Sequence, residues 1–247
     1  MPTRWKLTIE YDGRPFMGWQ RQAHGASVQE EIERAIEAFS GEAPRLHVAG
    51  RTDAGVHALG QAAHFDLEKP TTARTVREAL NAHLRPHPIA VLKAEPAPPG
   101  FHARTSARRR RYRYLVLNRP ARPTLDEGRV WHVPQALDDD AIRAGAAALI
   151  GRHDFTTFRA AMCQAKSPIR TLDRLDAIRE GDLLRFEVEA RSFLHHQVRN
   201  MIGTLILVGR GKWRPAQMAA ALAAKDRAAG GPTAPPDGLY LVTVDYA

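Results

Sequence analysis

Trp5, Leu7, Ile9 and Tyr11 alternate with Lys6, Thr8 and Glu10, and a period of two predicts a half-buried strand. Asp12-Gly13 ends it with a turn signal. Ser27 stands three residues before Glu30, the spacing of a capping box. Val28, Ile32, Ala35, Ile36 and Phe39 then recur at helical spacing until Gly41. Leu46 and Val48 mark a second strand. Residues 61 to 67 predict a third, with Ala63, Phe65 and Leu67 on one face. Pro70 and Thr72 open a second helix carrying Val76, Leu80 and Leu84, and residues 89 to 94 form a fourth strand. The first half therefore predicts the order βαββαβ.

Residues 95 to 100, Glu-Pro-Ala-Pro-Pro-Gly, cannot continue regular structure and separate the halves. Beyond them a strand is predicted over 108 to 118 and a short one over 129 to 133. A helix with acids at its start follows over 138 to 150. Residues 169 to 178 and 183 to 190 flank Glu180-Gly181-Asp182 as a hairpin. A helix over 195 to 208 buries Val198, Met201, Ile202, Leu205 and Ile206. Another runs from 215 to about 224, and a last strand covers 239 to 246. The core is again βαββαβ, with insertions. The expected fold class is α+β: two ferredoxin-like (split βαβ) domains, 1–100 and 101–247, each an antiparallel sheet with helices on one face. A cleft where the two sheets meet is where a site is expected.

Composition changes this picture in one respect. Hydrophobic residues make up 44% and charged residues 26% of the 247, an ordinary globular balance that excludes wholesale disorder. Lys plus Arg total 36 against 27 Asp plus Glu, a formal charge of +9 that raises the expectation of a polyanionic partner. The single cysteine, Cys163, cannot close an internal disulfide, which fits a reducing compartment, and a small packed side chain is its expected role. No Cys/His cluster has zinc spacing, no apolar run approaches a membrane span, and the first residues lack a signal core. No metal and no membrane are expected, and the chain is expected to be cytoplasmic.

Three segments carry candidate chemistry. Gly50-Arg51-Thr52-Asp53-Ala54-Gly55-Val56-His57 lies between the second and third strands and packs an acid, bases, a hydroxyl and two glycines into one loop. A helix N-cap or an Asx-turn at Asp53 explains the same residues. Residues 104 to 113 hold Arg108, Arg109, Arg110, Arg111 and Arg113 around Tyr112, with Tyr114 just after. As a strand they place Arg111 and Arg113 on one face and both tyrosines on the other. That arrangement suits gripping phosphates while stacking a base, or else a solvated basic edge strand. His195-His196 sits at a strand–helix junction. Positions i and i+1 of a helix do not face each other, which argues against a shared metal, and Arg199 nearby is the more promising charge partner.

Read together, these segments resemble the TruA family of tRNA pseudouridine synthases. Tyr11-Asp12-Gly13, Phe16, Gly18-Trp19-Gln20-Arg21-Gln22 and Ser27-Val28-Gln29 are similar to the family's opening signature, and residues 50 to 57 to its catalytic G-R-T-D-A-G-V-H motif. Phe101-His102-Ala103-Arg104, Arg111 to Tyr114, Asp154-Phe155, Phe158-Arg159, residues 193 to 200 and Gly238-Leu239-Tyr240 follow in the family's order. The resemblance implies two ferredoxin-like domains joined around a basic cleft, and a homodimer. It implies conversion of uridine to pseudouridine at positions 38, 39 and 40 in the anticodon stem-loop of tRNA, without a cofactor. It puts the nucleophile on Asp53, the base-stacking tyrosine on Tyr112, and charge-steering arginines on Arg51 and Arg199.

The chemistry accords with that set. Pseudouridylation breaks the C1′–N1 bond, turns the uracil and makes a C1′–C5 bond, with no oxidation and no hydrolysis. One reversible nucleophile in a closed pocket suffices. Carboxylates are ionised at neutral pH, and a nearby arginine offsets the cost of burying one. A buried uridine has to be flipped out for a few kcal/mol, of which stacking returns about 1–3 kcal/mol. Two other classes compete. A non-catalytic RNA-binding module has no use for an acid at position 53. A metal-dependent hydrolase or nuclease calls for more carboxylates near the loop.

Overall fold

The computed structural model describes residues 2–246. In chain order its elements are β1 (Thr3–Tyr11), α1 (Val28–Ser40), β2 (His47–Val48), β3 (His57–Leu67), α2 (Ala73–His83) and β4 (Ile89–Pro96). Then come β5 (Arg109–Leu117), β6 (Trp131–His132), α3 (Asp139–Ala147), β7 (Gly151–Asp154), β8 (Ile169–Glu180) and β9 (Leu183–Ala190). The last are α4 (Gln197–Gly209), α5 (Ala216–Ala224) and β10 (Leu239–Asp245). This is an α+β fold, and the βαββαβ order of the first half is present. Two compact units divide the described residues. One runs up to Arg108 and takes in the chain from Tyr240 on; the other is Arg109–Leu239.

In the first unit β1 lies between β3 and β4, antiparallel to both. Its inward residues Trp5, Leu7, Ile9 and Tyr11 are all buried, as the alternation requires. The Ser27 hydroxyl accepts the Glu30 N–H at 3.3 Å to start α1, and Gly41 at φ 77° ends it in the left-handed conformation. Thr72 caps α2 in the same manner. β3 is longer than its expected core because neighbours pair with it on both edges. β1 takes one edge, and β2 (antiparallel) and β10 (parallel) take the other. The register of β1 with β3 slips between Ile9 and Tyr11, a bulge that falls beside the 50–57 loop.

In the second unit the strand order is β5–β9–β8–β7, every neighbour antiparallel, with β6 parallel on β5. Asp138 caps α3 by accepting from the Ala141 N–H at 2.9 Å. α4 buries nearly its whole circumference, including Val198, Met201, Ile202, Leu205 and Ile206.

Three expectations need correction. The division at residues 100 and 101 assigned the last strand to the second half, whereas residues from Tyr240 on group with the first unit, where Tyr240 pairs with His57. An alternating apolar strand specifies that it needs a sheet edge, not which edge. β7 was not anticipated, because Gly-Arg-His-Asp has no apolar alternation; it exists by pairing with residues 169–172 of β8. α4 begins at Gln197 rather than at His195, because His196 takes the left-handed conformation at φ 60°. The helical argument against a shared ligand at His195-His196 therefore does not apply: both precede the helix, and their ring centroids lie 4.0 Å apart.

Candidate active site

The 50–57 loop hangs from the start of β3. Its backbone closes a turn in which the Val56 N–H donates to the Asp53 carbonyl at 3.2 Å, with Gly55 at φ 77° in the third position. Residues along it alternate in exposure: Arg51 is exposed, Thr52 is buried and Asp53 is half-buried. Arg51 makes no ion pair among the described residues.

What holds the loop is the end of β1 and the chain just after it. The Tyr11 hydroxyl lies 2.7 Å from Thr52 Oγ1. The Trp19 N–H donates to the Thr52 carbonyl at 3.0 Å. A Cβ on Gly13 would sit 2.1 Å from the Val56 carbonyl oxygen. One on Gly18, whose φ is +101°, would sit 2.8 Å from the Thr52 carbonyl oxygen. Glycine is required at both places for close backbone approach. From β3, buried Gln61 donates through Nε2 to the Gly50 carbonyl at 2.8 Å. At the loop's end His57 is buried, stacked on Tyr240 with centroids 4.7 Å apart, and its Nδ1 accepts the Gly13 N–H at 3.2 Å. Asp12 sits 3.3 Å from that nitrogen. Burial pushes the Asp12 carboxyl up, but hydrogen bonds from Arg14 and the nearby positive charge outweigh it and hold it down at about 2. Pattern reading alone missed Gly13, Gly18, Thr52 and Gln61 as supports. The one signal for Tyr11 was its inward position, since a buried phenol needs a hydrogen-bond partner.

The arginine strand belongs to the second unit, apart from Arg108, whose N–H donates to the Asp245 carbonyl at 2.9 Å in the first. Along β5 burial alternates: Arg110, Tyr112 and Tyr114 face inward while Arg109, Arg111 and Arg113 face out. The outward arginines meet acids of β9. Arg113 pairs with Glu187 at 2.9 Å, and Arg109 and Arg111 approach Glu189 at 3.4 and 3.6 Å. Arg174 of β8 shares Glu189 at 3.3 Å. Arg110 turns inward and its guanidinium donates to the Arg191 carbonyl.

The two tyrosines differ. Tyr114 is fully buried and donates to the Pro235 carbonyl at 2.8 Å; burial pushes its hydroxyl well above the usual phenol range. Tyr112 meets the ring of Phe193 edge-on at 5.2 Å. Arg199 in α4 is half-buried, and its Nε donates to the Ala234 carbonyl at 2.8 Å. Asp53 and Arg51 thus lie in the first unit, and Tyr112 and Arg199 in the second. Cys163 is half-buried in the segment between Phe158 and β8, less enclosed than a core residue.

Comparison with known proteins bears on the 50–57 loop and on the segment around Arg199. The family model described as tRNA pseudouridine synthase matches residues 7–105 and 146–247. The tRNA pseudouridine synthase A of Acidiphilium cryptum is 60% identical over 245 residues, 98% of this chain and 96% of that protein. The protein of the same name from Rhizorhabdus wittichii is 58% identical over 99% of this chain and 96% of its own length. The one from Rhodopseudomonas palustris is 59% identical over 98% of this chain and 99% of its own length.

Proposed function

This chain belongs to the tRNA pseudouridine synthase family, and on that premise we propose that it isomerises uridine to pseudouridine at positions 38, 39 and 40 in the anticodon stem-loop of tRNA, with Asp53 as its nucleophile. Tyr112 stacks on the flipped uracil. Arg51 and Arg199 steer the substrate phosphates and balance the charge of the carboxylate. Arg108, Arg109, Arg110, Arg111 and Arg113 contribute to the grip on the RNA backbone. Two ferredoxin-like domains around a basic cleft, a homodimer and a cytoplasmic location complete the reading. The strand order β4–β1–β3–β2 supports its ferredoxin-like part for the first unit.

The observation that carries the proposal is the G-R-T-D-A-G-V-H loop, inside the family match and built with close backbone contacts on one side of a half-buried aspartate. A carboxylate there attacks without a general base to activate it. The close approach of Gly13 and Gly18 and the buried Thr52 leave its backbone little freedom, so the entropic cost of aiming it is met at folding.

The test is chemical mapping of pseudouridine in tRNA incubated with the purified protein, alongside Asp53→Asn. Wild type is expected to convert the three anticodon-arm positions. Asp53→Asn is expected to bind tRNA as wild type does and to lose at least about a thousandfold in rate. Turnover near wild type in Asp53→Asn removes residue 53 as the nucleophile. Conversion outside the anticodon arm removes the substrate assignment.

A further inference from the structure

Building on the reading of Asp53 as nucleophile, we propose that Tyr11 and Thr52 are positioning residues, a hydrogen-bonded hydroxyl pair that fixes where the Asp53 carboxylate stands. Tyr11 closes β1 at the bulge, and its ring is core, 3% exposed. Its hydroxyl lies 2.7 Å from Thr52 Oγ1 and, more distantly, 3.4 Å from Gln61 Nε2. The amide nitrogen of Gln61 donates to the phenol oxygen, and within the Tyr11–Thr52 pair either hydroxyl can be the donor.

Thr52 precedes Asp53 directly and is 7% exposed. It is held at both ends. Its side chain is held by Tyr11, and its carbonyl by the Trp19 N–H at 3.0 Å. Gly18 lies against the same peptide and the next, where a Cβ would sit 2.8 Å from the Thr52 carbonyl oxygen and 3.2 Å from the carbonyl carbon of Asp53. Gln61 fixes Gly50 two residues earlier, and the 53–56 turn fixes the chain beyond. The loop is therefore anchored on both sides of residue 53, and the Tyr11–Thr52 pair is the anchor next to it. Neither hydroxyl belongs to the group that attacks.

A merely structural role for the pair would satisfy two buried hydroxyls and nothing else. The alternatives separate because displacement of a nucleophile by about 1 Å costs on the order of a hundredfold in rate while leaving substrate binding alone. Thr52→Val keeps the shape and removes the hydroxyl. Tyr11→Phe keeps the ring in the core and removes one oxygen. Thr52→Ser keeps the hydroxyl and removes a methyl.

Single-turnover tritium release from C5-tritiated uridine in tRNA gives the rate, filter binding gives the tRNA Kd, and thermal unfolding verifies the fold. Thr52→Val and Tyr11→Phe are each expected to slow the step about 10- to 100-fold with Kd within about twofold. The double variant is expected to be no slower than the slower single, because the two act as a pair. Thr52→Ser is expected to remain within about threefold of wild type.

The proposal falls if both single variants turn over within about twofold of wild type. It also falls if their loss appears as weaker tRNA binding, or if Thr52→Ser is as slow as Thr52→Val. Asp53→Asn in the same series keeps the two claims apart. If it is dead while Tyr11→Phe and Thr52→Val are unimpaired, the pair is retired and the nucleophile stands. If it is active, both are retired.

Discussion

The Asp53 loop and the arginine strand β5 are built on opposite plans. The loop depends on a few contacts that cannot be exchanged: two glycines against backbone, one hydroxyl pair, one buried glutamine amide. The strand carries its charges in excess and in company, with Arg109, Arg111 and Arg174 gathered on Glu189, and Arg113 and Arg185 on Glu187. Partly exposed pairs of this kind contribute roughly 0–1 kcal/mol each. Chemistry at one atom needs position, and position comes from close-packed, specific contacts. Grip on a polyanion needs summed charge, and a sum tolerates the loss of any one member.

The largest effect that tests this contrast is expected from Gly13→Ala. Its new methyl would lie 2.1 Å from the Val56 carbonyl oxygen, so the loop or the turn must move. A loss of about 2 kcal/mol or more in stability and about a hundredfold in rate is expected, read by thermal unfolding and single-turnover kinetics. A tolerated alanine would show that the loop is not held from that side.

Next in size is Tyr112. Tyr112→Ala is expected to lose about 10- to 100-fold in rate, the worth of a stacked base, while Tyr112→Phe keeps most activity. Equal collapse of both variants would give the hydroxyl a chemical part.

Smaller still is Glu189→Gln, which releases Arg109, Arg111 and Arg174 from a shared acid. About three- to tenfold tighter tRNA binding at low salt is expected, fading as salt rises. Unchanged affinity in filter binding would place the RNA on another surface.

The smallest effect at neutral pH concerns the sheet that carries the loop. Burial pulls His64 down to about 4, helped by His102 and His47, whose rings lie 4.7 and 4.9 Å away. Arg4 adds to the shift and Asp66 opposes it. Between about pH 6.5 and 4 the unfolded chain binds a proton that the folded chain refuses. Stability is therefore complete above that window and falls through it on acidification, by on the order of 3 kcal/mol. Equilibrium unfolding of wild type against His64→Gln at pH 7 and pH 4.5 checks the sign; an equal loss in both would assign the acid sensitivity elsewhere.

Much of the fold was legible in the residues. Ser27 and Gly41 bound α1, Thr72 starts α2, and the alternation of β1 names its buried face, because caps and periods act within a few residues. The face-splitting of β5 followed from the same period. The electrostatic state of its arginines did not, because Glu187 and Glu189 lie more than seventy positions away and meet them only across a strand pair. At the candidate site the motif named Asp53 but not its supports. Gly13 reads as a turn residue in the sequence and Gly18 only as part of the family signature, and their close approach to the loop arises only when β1 and β3 are side by side.

The sequence by itself determined most of the helices and strands (though not β7), which faces turn inward, and which family the motifs resemble, since each of these depends on neighbours along the chain. Tertiary structure alone decided that the last strand joins β3, that Thr52 hangs from Tyr11, and that the arginine row is answered by glutamates. Those outcomes depend on edges, hydroxyls and charges that are distant in the chain and meet only when the sheet closes their separation to a few ångströms.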